Sequence, residues 1–291
     1  MKNEIHLFRY SILLLIFTII FSCRKSVTTP DQNLNQQQKN SVQAIPYPVS
    51  PVRGCSYAPD YGDSIIYPQT TTGSDYIVSP VNNPGPGTYM SWPDGLAINS
   101  STGSIDVTQS DAGERFDIGF VKSGTTDTCV SSLIIGGVSY MDSVYVFGNN
   151  ESQVYPYYDA NPYSAFVCGW GSTLPGSCKF DVTGSANNMK VAVDSNNGWI
   201  DLQKTLDNGA FGPLPVNGQQ ISPVIYYRLN NAGNMTLQHI QVNIVYYYSK
   251  SQISPALLNS LNTKLNNSLQ DILIAKSGSS RPPIIIITRI N

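Results

Sequence analysis

The feature that most constrains this chain is an internal repeat. Leu96–Val107 aligns without a gap with Val191–Leu202, at a spacing of 95 residues. Downstream, Asp111-Ala112-Gly113 aligns with Asp207-Asn208-Gly209 after a shift of one residue. This spacing is too long for one unit of a solenoid, and it matches the length of a single β-sandwich domain. The repeat therefore predicts two sandwiches in tandem.

Each copy of the repeat is expected to form a β-hairpin. A short alternating strand leads to a polar turn, with Gly103 or Gly198 at the position suited to a positive φ, and a second alternating strand follows. The 18 Tyr, 23 Gly and 19 Pro residues among the 291 of the chain also favour strands joined by tight turns. We therefore expect a mainly β fold.

The first copy also carries a family resemblance. Trp92–Ile105, followed by Ser110–Ile118, resembles the pattern P-x-G-L-x-I-(N/D)-x-x-T-G-x-I and S-x-x-G-x-(Y/F)-x-(I/V) of bacterial Ig-like and cadherin-like domains. The match covers Tyr89 to Phe120. The second copy follows the pattern loosely, because Trp199 and Phe211 replace its usual residues. The resemblance implies two tandem Ig/cadherin-like β-sandwiches outside the cytoplasm, a fold that hosts adhesion, spacing and ligand binding alike.

A later strand has an irregular alternation. Its apolar residues alternate at Met235 and Leu237 and then change phase toward Ile240. Such a change predicts a β-bulge near Gln238-His239. His239 is then expected to be a surface residue rather than a ligand.

The C-terminal part does not follow the repeat. Ser254 and Pro255 suit the N-cap and first turn of a helix, and the apolar residues that follow at three-and-four spacing predict a helix of about twenty residues. Ile284–Ile287 form a continuous apolar run, which predicts a buried strand. We expect the helix to pack on the second sandwich and the strand to complete its sheet. The alternative is that the leucine stripe of the helix docks a partner protein.

The N-terminus has the pattern of a targeting segment. Lys2 and Arg9 give a positive start, and Ser11–Phe21 form a largely apolar run that is too short to span a bilayer. The run ends at Ser22-Cys23, which resembles the bacterial lipoprotein signal, of the kind found in Bacteroidota. This resemblance implies cleavage before Cys23 and its acylation, and the alternative is an ordinary signal peptide. We expect a lipid anchor in the outer membrane, on either face.

These patterns divide the chain into five segments. We expect a lipoprotein signal peptide over 1–22, a disordered tether over 23–54, a first Ig/cadherin-like sandwich over 55–155, a second over 156–253, and a C-terminal amphipathic helix and final strand over 254–291. The tether is assigned because it contains prolines, glutamines and asparagines with no apolar period.

The remaining cysteines are expected to form two disulfides. Cys55, Cys129, Cys168 and Cys178 make an even number in an exported protein, and four cysteines allow three pairings. Cys168 and Cys178 flank a stretch rich in turn residues, so a bond between them is the easiest. That pairing leaves Cys55 with Cys129. A zinc site is disfavoured because no Cys-x-x-Cys pair occurs.

Charge and motifs argue against several function classes. Charged residues are only 12% of the chain, so the clustered basic surface that binds nucleic acid is not expected. No Gly-x-Ser-x-Gly, His-Glu-x-x-His or phosphate-binding Gly-Lys-Ser/Thr motif occurs. We expect a protein that is not an enzyme and has no cofactor. A hydrolase using paired Asp residues is the least favoured alternative, since only three Glu are present: Glu4, Glu114 and Glu151.

A calcium site in the second hairpin is also disfavoured. Asp194, Asn196, Asn197 and Asp201 offer oxygen atoms close together in sequence. However, Gly198 stands where the calcium-binding loop of an EF-hand needs a ligand. A structural turn is therefore the preferred interpretation, and no metal is expected.

Aromatic residues give the best indication of a binding site. A proline-broken stretch between the two copies of the repeat contains the candidate ligand-binding residues Tyr155, Tyr157, Tyr158, Tyr163 and Trp170. Exposed rings beside Asn and Asp suit sugars, because the apolar face of the sugar stacks on the ring while polar groups bind its hydroxyls. The alternative is a cluster that packs between the sandwiches.

The sequence therefore predicts a non-catalytic cell-envelope lipoprotein that acts as a structural or adhesive β-sandwich module. The second hypothesis is a glycan-binding accessory lipoprotein of a polysaccharide-uptake system. The expected partners are the membrane, through the lipid anchor, and a glycan or another envelope protein.

Overall fold

The structure is a computed structural model that describes residues 51–147, 151–163, 168, 178–262 and 282–289. Twenty β-strands and a few short helices lie within these residues. The predicted mainly β fold is therefore confirmed. The predicted signal peptide over 1–22 lies outside the described residues, as does most of the predicted tether. Within the described ranges, no helix has both the length and the apolar character needed to cross a membrane.

The first half of the described chain forms two sheets around one core. Its strands are β1 (Val52–Arg53), β2 (Ile65–Ile66), β3 (Ile77–Val78), β4 (Gly87–Trp92), β5 (Ala97–Ile98), β6 (Ile105–Asp106), β7 (Glu114–Lys122) and β8 (Thr128–Ile135). One sheet has the order β1-β8-β7-β4, with β2 also paired to β8, and the other has the order β3-β6-β5. Strand β7 supplies the centre of the core, because Phe116, Ile118 and Phe120 alternate on one face and are fully buried.

The second half forms four sheets. Its strands are β9 (Val138–Tyr140), β10 (Ser143–Phe147), β11 (Gln153–Val154), β12 (Pro156–Tyr158), β13 (Lys179–Phe180), β14 (Ala192–Val193), β15 (Ile200–Asp201), β16 (Gln219–Ile221), β17 (Val224–Arg228), β18 (Leu237–Gln241), β19 (Asn243–Tyr246) and β20 (Ile284–Arg289). The sheet orders are β10-β20-β19-β16, β13-β17-β18, β11-β15-β14 and β12-β9. The helices are α1 (Ser185–Asn188), α2 (Leu202–Asp207), a 3₁₀ turn at Lys250–Gln252, and α3 over 255–262.

Two clusters of buried apolar side chains divide the described chain near Gly136. The first cluster draws on residues from Tyr61 to Ile135, and the second begins at Val138. Residues 138–154, which the sequence analysis assigns to the first sandwich, contribute to the second cluster. Strand pairing explains this difference, because β9 pairs with β12, β10 with β20 and β11 with β15.

The two clusters meet at a close junction. Tyr67 donates a hydrogen bond to Asp159 Oδ2 at 2.9 Å, and Asp159 Oδ1 accepts one from the Gly137 amide at 2.9 Å. Burial, together with the hydrogen bond to Asp159, raises the pKa of Tyr67 to about 12. Gly113 approaches so closely that a Cβ added to it would lie 2.5 Å from the Val138 carbonyl oxygen. This contact leaves room only for glycine.

The first strand lies inside the predicted tether. Val52 pairs in parallel with Cys129 of β8. The Arg53 guanidinium forms an ion pair with Asp117 at 2.5 Å, and Asp117 is fully buried. Because a buried carboxylate needs a charged or hydrogen-bonding partner, this contact fixes Arg53. The expected disorder through residue 54 therefore does not hold for β1.

Both copies of the repeat form the predicted hairpin. Ala97 pairs with Asp106 in the first hairpin, and Ala192 pairs with Asp201 in the second, in the same register. A third strand joins each hairpin at the matching place, β3 in the first and β11 in the second. The sequence repeat is thus a structural repeat of three short strands.

The turns of the two hairpins are also held in the same way. Gly103 and Gly198 have φ values of 72° and 73°, which glycine adopts without strain. The carbonyl of Gly103 accepts a hydrogen bond from the Tyr61 hydroxyl at 2.7 Å, and that of Gly198 accepts one from Tyr140 at 2.6 Å. A buried tyrosine therefore joins each turn to its own core.

The predicted bulge near Gln238-His239 is wrong. Strands β17 and β18 pair without interruption, with Tyr226 opposite His239 and Tyr227 opposite Gln238. The alternation changes phase because Gln238 points inward, where its Oε1 accepts a hydrogen bond from the Tyr227 hydroxyl at 3.0 Å. The chain then passes from β18 into β19 of another sheet. His239 is exposed, and its ring centroid lies 5.7 Å from that of Tyr226.

The C-terminal elements begin as predicted. The Leu257 amide donates to the Ser254 hydroxyl at 3.3 Å, which caps α3, and Leu257 and Leu261 are buried. The rest of the predicted helix, beyond residue 262, lies outside the described residues. The predicted buried strand is confirmed as β20. It lies in the middle of its sheet, parallel to both β10 and β19.

Two disulfides join the four cysteines in the predicted pairing. The Cα atoms of Cys55 and Cys129 are 6.0 Å apart, and those of Cys168 and Cys178 are 5.2 Å apart. The first disulfide has a sequence separation of 74 residues, and it ties the chain just after β1 to β8.

Candidate functional site

The strongest candidate site is a groove beside the second hairpin, named here the Trp199 groove. It has a volume of about 460 Å³. Strand β11, the two hairpin strands, their turn and the two short helices nearby supply its lining residues: Gln153, Asn187, Ala192, Val193, Asp194, Ser195, Trp199, Asp201, Lys204 and Asn208. The lining is mostly polar and contains one large ring.

Two carboxylates fix the backbone around this groove. Asp194 Oδ1 accepts hydrogen bonds from the amides of Asn196 at 2.9 Å and Asn197 at 2.7 Å. Asp201 Oδ1 accepts one from the Lys204 amide at 2.9 Å and so caps α2. Asp194 therefore has the turn role that the sequence analysis favours over calcium binding. In the described part of the chain, no group of three or more His, Cys, Asp or Glu residues is placed to hold a metal ion.

Other polar atoms of the groove are available to a ligand. Among the described residues, Asp194 Oδ2, Asp201 Oδ2 and Lys204 Nζ have no hydrogen-bond partner. The groove therefore contains two negatively charged hydrogen-bond acceptors and one positively charged hydrogen-bond donor. This mixture suits a ligand with many hydroxyl groups, because each hydroxyl can both donate and accept.

One lining residue of the groove, Trp199, forms an aromatic pair with Tyr155, which lies next to the lining residues. The ring centroids of Tyr155 and Trp199 are 5.1 Å apart, and the ring planes meet at 72° in an edge-to-face contact. The Tyr155 hydroxyl donates to Gln153 Oε1 at 2.8 Å. Tyr155 is 51% exposed and Trp199 is half-buried. The contacts hold both rings in place while leaving part of their surface open to solvent.

The first hairpin has a groove at the equivalent place, which serves as an internal comparison. Its volume is about 560 Å³, and it is lined by Ile77, Leu96, Ala97, Ile98, Asn99, Thr102, Ser104 and Asp106. By the repeat, Ser104 stands at the position of Trp199 and Asn99 at the position of Asp194. Ile77, on the third strand, replaces Gln153. The first groove thus lacks the large ring and one of the carboxylates of the second.

The aromatic residues that were predicted to form one binding site differ in their burial and in their position relative to the groove. Tyr158 is 2% exposed and belongs to the second core, so it cannot lie on an exposed platform. Tyr157 is half-buried, and burial, with the charge of nearby Glu114, raises its pKa. Tyr163 is 72% exposed, but it is not part of the Trp199 groove. Trp170 lies outside the described residues.

None of the predicted residues that the structure describes lines the groove, and Tyr155 is next to it through its ring contact with the lining residue Trp199. Trp199 lines the groove but was not among the predicted site residues, because in the sequence it stands out only as a departure from the family pattern. The signal that could have found it is the repeat itself. A tryptophan directly before a strand, where the other copy has serine, is a large apolar addition at a half-exposed site, and it needs a reason.

Comparisons with known proteins assign no family. No protein-family model matches the chain, and no curated protein matches it. Among solved structures, the chain is similar to two crystal structures of human protocadherin-24 EC1-2, one of them form II, at 8% sequence identity and a TM-score of 0.20 for each. These matches cover 62% of this chain and 92% or 91% of the protocadherin chains. A TM-score this low does not establish a shared fold, and the fold of this chain is defined by its own strand pairing.

Proposed function

We propose that the protein is a non-catalytic, lipid-anchored β-sandwich module of the cell envelope that adheres to glycan chains through the Trp199 groove. The observation that carries the proposal is the ordered aromatic pair beside polar side chains with free donors and acceptors. Sugar rings present apolar C–H faces to aromatic rings and hydroxyl groups to polar atoms. The groove meets both needs.

The shape of the site supports a chain-like ligand rather than an enclosed small molecule. Its walls are short strands and a turn at the surface, and the exposed ring of Tyr155 extends the binding surface beyond the lining residues. A polysaccharide can lie along such an open surface, whereas a small ligand is usually buried over most of its area. We therefore expect recognition of a few sugar units within a longer chain.

Trp199→Ser tests this proposal, because it gives the second groove the residue found at the equivalent place in the first. We expect the variant to lose polysaccharide affinity by at least about tenfold, which corresponds to about 1.4 kcal/mol, in the range of one aromatic contact. A glycan array identifies the ligand for the parent protein, and affinity electrophoresis measures each variant. Melting curves establish that each variant is folded.

Ser104→Ala in the first groove is the matched control. It should leave glycan affinity unchanged, since that groove has no aromatic pair. Tyr155→Ala should weaken binding in the same direction as Trp199→Ser, with little loss of stability, because the Tyr155 ring is 51% exposed. Unchanged retention of the folded Trp199→Ser variant, or a parent protein that binds no glycan on the array, would contradict the proposal.

The anchor has a separate test. Cys23→Ser removes the thiol that the lipoprotein signal would acylate, so the protein should leave the membrane fraction or accumulate unprocessed. Cell fractionation with a blot for the protein measures both outcomes. A normally processed variant that still partitions with the membrane would show that Cys23 is not the anchor.

A further inference from the structure

An exposed apolar loop of the second half is a separate candidate for a contact surface. It is named here the Leu214 loop and consists of residues 212–218. Leu214 stands between two prolines and is 84% exposed, the largest value among the exposed large apolar side chains that the structure describes. Val216 in the same loop is 52% exposed. Apolar side chains exposed together in this way mark a surface that contacts a partner or a membrane.

The Leu214 loop is held in place at its base. The Tyr248 hydroxyl donates to the Pro215 carbonyl at 2.6 Å, and the Tyr248 ring, which is 49% exposed, widens the apolar surface. On the other side, Gln219 Nε2 donates to the carbonyl of Phe211, a residue buried in the second core, at 2.9 Å. The two prolines also fix their own φ angles. Leu214 is therefore presented to solvent by a fixed backbone.

The tip of the loop, residues 212–216, offers few hydrogen-bond donors. Two of these five residues are prolines, which have no amide hydrogen. The Gly212 amide donates to the Gly209 carbonyl at 3.0 Å. The Val216 amide donates to Gln219 Oε1 at 3.1 Å. Within the described residues, Leu214 has the only amide of the tip without a partner, so moving the tip out of water leaves a single donor unsatisfied.

Charge and polarity favour a lipid surface over a protein partner. No charged residue occurs between Asp207 and Arg228. A protein interface normally needs about one hydrogen bond per 100–200 Å² for its specificity, which the tip cannot supply. A bilayer needs no such bonds, and it opposes charge. The carbonyls of residues 212–214 accept no hydrogen bond within the described residues, so they have to stay hydrated, and this limits the tip to the headgroup boundary.

We propose that the Leu214 loop inserts into the surface of a lipid bilayer. Leu214 and Val216 lie at the boundary between headgroups and acyl chains, and the Tyr248 ring lies at the level of the headgroups. Tyrosine suits that level because its ring is apolar and its hydroxyl is polar. The insertion is shallow and uses a loop. It requires neither acylation of Cys23 nor the Trp199 groove.

A fluorescent label at the tip tests the proposal. Leu214→Cys is made in the full chain with Cys23→Ser, so that it supplies the only unpaired thiol, because the other four cysteines form two disulfides. The thiol is labelled with nitrobenzoxadiazole, and the protein is mixed with neutral phosphatidylcholine vesicles. On vesicles that carry the protein, the emission should shift to shorter wavelength. A nitroxide on the acyl chains of the lipid should quench it.

The matched control carries the label at Val81→Cys, in another loop. Val81 is 67% exposed, but its amide donates to the carbonyl of the charged residue Asp60 at 2.7 Å. This label should keep its emission wavelength on the same vesicles. Both proteins contain the same apolar run near the N-terminus, so vesicle association through that run cannot produce the difference.

Val216→Asp, added to the protein labelled at position 214, should abolish the shift, because a carboxylate does not enter the acyl region. Val216 is 52% exposed, so the variant should stay folded, which a melting curve checks. Four results overturn the proposal: no binding to the vesicles, unchanged emission at position 214 on vesicles that carry the protein, equal shifts at positions 214 and 81, or a shift that persists in Val216→Asp. Unchanged emission at position 214 would leave the loop to a protein partner.

Discussion

Gly113→Ala is expected to lower the free energy of unfolding by at least about 3 kcal/mol, because two costs combine. Gly113 has a φ of 78°, where a side chain costs about 1 to 2 kcal/mol. In addition, the new Cβ would lie 2.5 Å from the carbonyl oxygen and 2.6 Å from the carbonyl carbon of Val138. Both atoms are backbone, so the strand at the junction has to move.

The repeat provides the control for this prediction. Gly209 aligns with Gly113 and has a similar φ of 75°, but among the described residues a Cβ there would meet only Lys190 Nζ, at 3.8 Å. Gly209→Ala should therefore show the backbone cost alone, about 1 to 2 kcal/mol. Urea unfolding of both variants measures the difference. Equal losses would mean that the close approach at the junction contributes nothing to stability.

Ile285→Asp is the second substitution with a large expected effect. Ile285 is fully buried in the second core and lies on the central strand of its sheet. A carboxylate there would lose its hydration without a partner, or would have to become protonated, and such changes exceed about 4 kcal/mol. We expect the second core to unfold, seen as loss of the near-UV circular dichroism of its tyrosines.

Thr288→Val on the same strand is the matched control. Thr288 is fully buried, and its hydroxyl oxygen has no hydrogen-bond partner among the residues that the structure describes. Valine has nearly the same shape and removes that unsatisfied group, so the variant should be as stable as the parent or more stable. A large loss for Thr288→Val would indicate that any change on β20 disrupts the sheet, and that buried charge is not the cause for Ile285→Asp.

Local patterns allowed much of this fold to be predicted. The hairpins follow from the repeat, since glycine, polar turn residues and alternation all lie within one short segment. The capped start of α3 follows from Ser254-Pro255 for the same reason. The inward-facing Gln238 could not be predicted, because its burial depends on the Tyr227 hydroxyl across the sheet. Alternation alone treats glutamine as an outward residue.

The pairing of strands that lie far apart in the sequence could not be predicted. The isoleucine run predicts that β20 is buried, but its place beside β10 depends on contacts with residues about 140 positions earlier, as between Ile284 and Asp142. The same limit applies to the candidate site. Tyr155 and Trp199 meet because β11 pairs with β15, which brings Gln153 opposite Asp201. Nothing within either segment indicates the other ring.

The Cys55–Cys129 disulfide has a mechanical consequence. When tension is applied to the chain ahead of β1, the load reaches Cys55 once β1 has separated from β8, and it then passes through the covalent bond directly to Cys129 in β8. The residues between these cysteines, which include the whole first hairpin, are bypassed. A molecule pulled from that end would therefore lengthen only in the segments outside this loop, and the first hairpin would keep its shape under forces that unravel the second.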